Sequence, residues 1–378
     1  MSNSIRRIAI CTGGGDAPGL NAVIRATVIA ATNLGWEVYG IHEGYNGILF
    51  PERYPEGGVF KLTRERVRGI AHLGGTILGT TNKGNPLHFP IRMPDGTLRE
   101  VDRTDEILEY FGRRELDALV SIGGDGSLTI AHALAKKGLR VVGVPKTIDN
   151  DLGSTDNTFG FFTAVETAMG ALDKLKTTGE SHDRVMILEV MGRYAGWIAL
   201  ESGLTGGAHI ILVPEIPYSV ESVLARIRRH WDEEHRNYTL IVLAEGAFPE
   251  GGHVEHIEAG RSGSVARVGG AGARLDAALR DAMASWDRPR GAPEVRTTVL
   301  GHIQRGGSPC AYDRLISLRF GAEAATLALA GRWNRMVCLR GTGIENVPLV
   351  EGIARPHNVD PLGQMVQHAR AVGICFGD

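Results

Sequence analysis

Residues 11–25 read "CTGGGDAPGLNAVIR" and overlap the end of an apolar run, "RRIAICT" (6–12). Strand, glycine turn and helix follow one another here, the repeating unit of a parallel α/β sheet. Free amides at the turn and at the first turn of the helix attract anions, so a phosphate is their natural occupant. The glycine spacing is neither G-x-G-x-x-G nor G-x-x-x-x-G-K-[ST], so it fits neither the dinucleotide fingerprint nor the P-loop. Taken alone, the stretch is equally compatible with a tight β–α turn whose glycines serve packing.

The same alternation continues outward. Apolar runs at 36–42, 117–123 and 140–145 complete a first set of expected strands, and 184–191, 208–214, 239–246 and 296–302 form a second, with a late one at 335–341. Helical patterns at 19–34, 127–137, 159–176, 193–204, 219–236, 269–286 and 312–331 separate them, and a last helix is expected at 358–371. The pattern predicts an α/β protein: two three-layer α/β/α domains with mainly parallel sheets and a site in the cleft between them. The expected division, with soft boundaries, is a first domain at 1–160, a second at 161–335 and a C-terminal segment, 336–378, that packs back on both; the chain could cross between the domains more than once. Residues 84–103, "GNPLHFPIRMPDGTLREVDR", break the rhythm with three prolines and a PDG turn, and read as an inserted surface hairpin.

Composition narrows the function classes. With 378 residues, 43% hydrophobic and 22% charged content, the chain is of globular type. A formal net charge of −2 gives no support to a nucleic-acid or anionic-membrane partner. The four cysteines lie far apart without CxxC spacing, and the amino terminus lacks signal-peptide shape, which together predict a cytoplasmic protein. The 51 glycines cluster at the ends of apolar runs, in "HLGGTILGT", "SIGGDGS", "MGRYAG" and "LGHIQRGG" as well as in the opening stretch. That placement predicts a cleft lined with main-chain amides.

Two further stretches add chemistry. In "SIGGDGSLTIAHAL", Asp125 could hold Mg²⁺, which prefers one or two carboxylates together with phosphate oxygens. Gly124, Gly126 and Ser127 offer amides and a hydroxyl to phosphates, although a turn-forming or capping aspartate explains Asp125 as well. "VPKTIDND" (144–151) then supplies a candidate base. Asp149 could accept the proton of a substrate hydroxyl, with Asp151 holding it or approaching the metal and Lys146 offsetting the carboxylates. An Asx-turn beside a solvated lysine is the alternative.

The second half places arginines at strand and turn ends: Arg184, Arg193, Arg296 and Arg305, with His302 and Glu245 nearby in sequence pattern. Each arginine alone reads as a surface residue. Together they suggest a pocket for a phosphorylated, hydroxyl-rich molecule, because guanidinium suits doubly charged phosphates. No GxSxG elbow or Ser/His/Asp arrangement is evident, which argues against acyl transfer.

In the order "GGGDAPGLNAVIR", "LGGTILGT", "GGDGS", "TIDND", "MGRYAGW", "AEG" and "LGHIQRGGSP", these motifs resemble the phosphofructokinase family over residues 12–309. The resemblance implies an enzyme that phosphorylates the 1-hydroxyl of fructose 6-phosphate. It assigns Gly15 and the turn 125–127 to the phosphoryl donor, with Asp125 on Mg²⁺. Thr147, Ile148 and Asp149 would face the acceptor hydroxyl, with Asp149 as general base and Asp151 in support. Met191, Gly192, Arg193, Glu245 and the run His302, Ile303, Gln304, Arg305 would line the sugar-phosphate pocket. Arg184 and Arg296 match positions that reach in from a neighbouring subunit, which implies a homo-oligomer, dimer or tetramer.

Two positions depart from the common bacterial ATP enzyme of this family. Lys146 stands where that enzyme usually has glycine, as in pyrophosphate-dependent relatives. Gly126 stands where those relatives usually carry an acidic residue that obstructs the α-phosphate of ATP. The two markers conflict. Gly126 carries more weight, since exclusion by bulk and charge is hard to evade, and the expected donor is ATP. The family arginine that bridges both substrates falls at Asn82, so Lys83 or Lys146 is expected to supply its charge. A pyrophosphate-dependent phosphotransferase and a non-catalytic sugar-phosphate sensor are the rival readings.

Overall fold

The computed structural model of the chain describes residues 6–254, 256–258, 267–286, 291–354 and 356–378. Fifteen strands are found among them. In chain order they are β1 (Arg7–Thr12), β2 (Glu37–Ile41), β3 (Val59–Leu62), β4 (Phe89–Arg92), β5 (Leu98–Val101), β6 (Ala118–Gly123), β7 (Val141–Pro145), β8 (Arg184–Val190), β9 (Ile210–Leu212), β10 (Thr239–Ala244), β11 (His256–Glu258), β12 (Arg267–Val268), β13 (Glu294–Val299), β14 (Arg335–Arg340) and β15 (Gly343–Pro348).

Seven strands form a large sheet in the order β15-β14-β7-β6-β1-β2-β3, and four form a small sheet in the order β13-β8-β10-β9. The small sheet is parallel throughout. In the large one only the edge strands β3 and β15 run antiparallel to their neighbours. Central strands such as "RIAICT" and "ALVSIG" are near-continuous apolar runs because both their faces are covered.

The period of two along each strand sorts side chains between the faces. On the large sheet, Ile8, Ile10, Val120 and Ile122 pack under the helices Leu20–Asn33 and Ala311–Leu329, through Ile24, Val28, Ile316 and Phe320. Ala9, Cys11, Leu119 and Val141 face the helices Thr104–Arg113 and Asp125–Lys136 on the other side. The small sheet repeats the arrangement. Leu188, Val190, Val242 and Ala244 lie against the helices Phe161–Ser181, Trp197–Thr205 and Gln364–Ala371, while Ile187, Ile241 and Leu243 lie against Val220–Asp232 and Ala271–Met283. Two three-layer α/β/α sandwiches result.

The chain passes between the sandwiches more than once, as the sequence left open, and the helix Ala311–Leu329 falls before the soft boundary at 335. It lies on the large sheet, which it enters ahead of β14 and β15. The chain therefore returns to the first sandwich near residue 310. It crosses again beyond residue 353, because Val359, Val366, Ala369 and Phe376 belong to the core of the second. The expected hairpin within 84–103 is β4 with β5, turning at Asp95, whose carboxylate accepts the Thr97 amide at 2.9 Å. The expected helix at 358–371 is shorter, Gln364–Ala371. No helix among the described residues is long and apolar enough to cross a membrane.

Candidate active site

The C-terminal ends of β1, β6 and β7 carry the three glycine- and aspartate-rich turns of the first sandwich. The ends of β8, β10 and β13 carry "MGRYAG", "AEG" and "GHIQRGG" of the second. Parallel strands open into loops at that end, and ligands of open α/β sheets lie there.

The first two turns are in contact. The Gly13 amide donates to the Ile122 carbonyl at 3.0 Å. A Cβ on Gly13 would lie 2.5 Å from Ser127 Oγ, so only glycine lets the second turn come this close. A third loop is laced to the first: Gly14 N–H donates to Thr81 O at 3.1 Å, and Thr80 Oγ1 donates to Gly14 O at 2.6 Å. This brings exposed Asn82 and Lys83 beside the amides of residues 13–15. The buried Asn21 holds that loop from below, accepting Ile77 N–H at 2.8 Å and donating to Leu73 and Gly74. Its role is not visible in the motif, where it reads as one more helical residue.

Asp125 opens the helix Asp125–Lys136 and is exposed. Desolvation first, and then the charge of Asp151, raise its carboxyl above the ordinary aspartate value. A carboxylate whose ionisation a neighbouring carboxylate disfavours suits a bound cation. Among the described residues no group of three or more His, Cys, Asp or Glu side chains could hold a metal. A site of one or two carboxylates is the kind Mg²⁺ takes, completed by phosphate oxygens and water.

"TIDND" follows β7 after Lys146. Asp149 N–H donates to Thr147 Oγ1 at 3.1 Å, and Thr158 Oγ1 donates to the Thr147 carbonyl at 2.8 Å. The carboxylate oxygen Oδ1 of Asp149 is buried without a partner, so it remains free to take a proton. Burial and then the charge of Asp151 push this carboxyl up to about 6, against Arg305, Lys146 and Arg193. Ile148 is fully buried in the second sandwich's core with Ala17 and Phe161, so only its backbone can meet a substrate.

Lys146 is buried, and its Nζ donates to the Gly15 carbonyl. Its amine thus reaches the first glycine turn rather than pairing directly with the two aspartates. Burial, with help from Arg305, lowers it to about 8, partly offset by Asp16, Asp151 and Asp149.

The second sandwich faces these groups. Gly192 has φ +135, where a Cβ would meet the Ala195 carbonyl at 2.7 Å; the turn it makes carries Arg193 beside the half-buried Glu245. Gly246 N–H ties the two loops by donating to Gly192 O at 3.1 Å. Burial and then Asp149 push Glu245 up to about 7, while Arg193 and Arg305 draw it down. Asp149, Glu245, Arg193 and Arg305 therefore share one electrostatic field across the cleft. Arg305 spans it, with Nη1 donating to Asp16 O at 3.2 Å.

The remaining candidates divide. Met191 lies at the end of β8 with its side chain in the core, and His302 and Ile303 are exposed on the turn Gly301–Arg305. Gln304 is fully buried, its Nε2 donating to Gly301 O at 3.2 Å, which makes it a prop of that turn. Arg184 and Arg296 do not join the cleft within this chain. They lie toward the opposite end of the small sheet, where both pair with Glu294, Arg184 at 2.8 Å. Glu189, which acts on Glu245 and accepts Gly272 N–H at 2.7 Å, was missed because it sits inside an apolar strand run.

An amide-lined turn, a carboxylate free to take a proton and a cationic pocket face one another across the cleft, the outfit of an enzyme that moves a phosphoryl group between two small molecules. Comparison makes the class specific: the family described as Phosphofructokinase matches residues 7–328, and the chain belongs to it. The ATP-dependent 6-phosphofructokinase of Chloroflexus aurantiacus is 48% identical over all of this chain and 99% of its own length. The pyrophosphate–fructose 6-phosphate 1-phosphotransferase of Amycolatopsis methanolica is 44% identical over 94% of this chain and 96% of its own. Phosphofructokinase from Pichia pastoris matches with a TM-score of 0.75 at 29% identity, over 98% of this chain and 36% of that longer one.

Proposed function

We infer that the chain is an ATP-dependent 6-phosphofructokinase. It transfers the γ-phosphoryl group of ATP to the 1-hydroxyl of fructose 6-phosphate, giving fructose 1,6-bisphosphate and ADP. The observation that carries this reading is the buried, unpartnered Oδ1 of Asp149, set between the amide-lined turns and the arginine pocket.

Phosphoryl transfer asks for alignment and charge neutralisation more than for covalent chemistry. The amides of residues 13–15 and 125–127 and the Lys146 amine hold the donor's phosphates. Asp125, with Asp151 near it, would hold Mg²⁺, which when bound neutralises charge on the donor. Arg193, Glu245, His302 and Arg305 grip the sugar phosphate and its hydroxyls. Asp149 takes the proton as the hydroxyl oxygen bonds to the γ-phosphorus and the bond to ADP breaks. A neighbouring copy would add Arg184 and Arg296 to the sugar-phosphate pocket, as supported by their distance from the cleft of their own chain. The four unpaired cysteines suit a cytoplasmic setting. The product test is direct: incubation with ATP, Mg²⁺ and fructose 6-phosphate should yield fructose 1,6-bisphosphate by ³¹P NMR, and no new sugar phosphate would end the reading.

Pyrophosphate is the second donor reading, favoured by Lys146 lying buried against Gly15. A lysine there can serve any polyphosphate. Lys146→Gly is expected to lower the ATP-dependent kcat by about tenfold or more, since it removes a charge from a buried site. An unchanged kcat would remove Lys146 from the donor site.

Both flanks of the pH profile should be visible. Asp149 is raised to about 6, so its proton-accepting form is lost as pH falls through that value, and kcat/KM should decline there. Because Asp151 and Asp149 interact, the limb reports the pair. Lys146 is lowered to about 8, so its charge is lost as pH rises through that value, and the ATP-dependent kcat should decline there. Initial rates between pH 5 and 9.5, at saturating and limiting donor, check both; a flat profile would contradict the assignments.

A further inference from the structure

The segment just ahead of the C-terminal helix bridges the two sandwiches at the loop that carries the base. Pro356 forms an isolated antiparallel bridge with Leu152. His357 N–H donates to the Asp151 carbonyl at 2.8 Å, and His357 Nδ1 lies 2.9 Å from the Asn150 carbonyl oxygen. A carbonyl only accepts, so Nδ1 carries the proton in this contact. Asn150, between the two aspartates, has φ 51, a left-handed conformation that a non-glycine residue keeps only when its surroundings hold it. Its own side chain accepts Thr158 N–H at 3.0 Å.

The other side of the same histidine is tied to the sugar-phosphate loop. Trp197 Nε1–H donates to the His357 carbonyl at 2.7 Å, and the two rings lie tilted by 30° with centroids 4.6 Å apart. Two residues on, Val359 N–H donates to Glu215 Oε1 at 2.8 Å, and the same oxygen accepts Gly196 N–H at 3.0 Å. Gly196 and Trp197 end "MGRYAGW", the loop that presents Arg193.

We propose that His357 is a positioning residue for the transfer: its Nδ1–H···O bond fixes the Asn150 peptide, and so the direction in which Asp149 is presented to a hydroxyl held beside Arg193. The proposal rests on Asp149 acting as base. Errors of about 1 Å in such alignment cost on the order of a hundredfold in rate.

Two variants separate the donor from the ring. His357→Asn keeps an N–H near the place of Nδ1 and loses the ring contact with Trp197; His357→Phe keeps a ring and loses the donor. The expected result is a kcat within about threefold of wild type for H357N and about tenfold or more below it for H357F, with KM for ATP unchanged in both. His357→Ala takes the place of H357F if the larger ring prevents folding. Three results overturn the proposal: both variants near wild type, both equally impaired, or H357F active with H357N impaired, which would assign the residue to ring packing. Asp149→Asn assayed alongside keeps the two readings apart. Activity retained in that variant would sink the base, whereas an inactive D149N beside a fully active H357F sinks only the role of His357.

Discussion

Asp149→Asn is expected to lower kcat with ATP by about a hundredfold or more, within the range of 10²–10⁴ that a general base supplies. The asparagine is close to isosteric and still presents an oxygen where Oδ1 is buried without a partner, so the change removes proton acceptance and little else. Stability should move the other way. Burial and the charge of Asp151 push the carboxyl up from an ordinary 3.8 to about 6 in the folded chain, so the folded state holds its proton more tightly than the unfolded one. Folding stability associated with this group is complete below about 4 and is lost as pH rises through about 6. At pH 7.5 the wild-type chain carries a buried charge repelled by Asp151, and the variant does not. D149N should therefore melt higher than wild type at pH 7.5 and alike near pH 4. A less active but more stable protein isolates the chemistry from the fold; an active D149N would assign the base elsewhere.

Gly126→Asp should be the most selective change in the donor site. Gly126 lies in the first turn of the helix Asp125–Lys136, where an acidic side chain is well tolerated by the helix dipole. A Cβ built there meets no protein atom within 4 Å. No protein atom blocks the substitution, and repulsion from Asp125 and Asp151 acts whichever donor is used, so the selective part of its cost falls on the ligand. A carboxylate at the mouth of the amide-lined turn would repel and obstruct the α-phosphate of ATP, and kcat/KM for ATP is expected to fall by about a hundredfold or more. Pyrophosphate has no group at that position and should be affected far less. Equal loss with both donors, measured at unchanged melting temperature, would place the α-phosphate elsewhere.

How much of this could be read from the residues varies with the length scale of the interaction. The run "RIAICTGGGDAPGLNAVIR" became β1, a glycine turn and the helix Leu20–Asn33 because strand period, glycine and helical pattern are local signals. The strands β3 and β15 were not foreseen: at the edges of the large sheet they are only partly covered, and "VFKL" and "GIENVP" offer no long apolar run. The helix Thr104–Arg113 buries only Thr104, Ile107 and Phe111 and was hidden among its charges. Which sheet the helix Ala311–Leu329 would cover depends on the chain's crossings, not on its own composition.

The site followed the same rule. Asp125, Asp149 and the glycines around them stand in short motifs whose chemistry is local. Arg193, Glu245 and Arg305 were legible as a set, though not as groups felt by Asp149. His357 was not legible at all, since its contact with Asn150 joins positions about two hundred residues apart. Lys146 gave a mixed signal that its bond to Gly15 sharpens, by moving it from the aspartates to the first glycine turn.

The central claim is that this cleft passes phosphate from ATP to fructose 6-phosphate. Initial rates of fructose 1,6-bisphosphate formation, compared between ATP and pyrophosphate at matched free Mg²⁺ on the same preparation, test it most directly. The account predicts turnover with ATP, and a kcat/KM for ATP well above that for pyrophosphate. Turnover with pyrophosphate and none with ATP would contradict it.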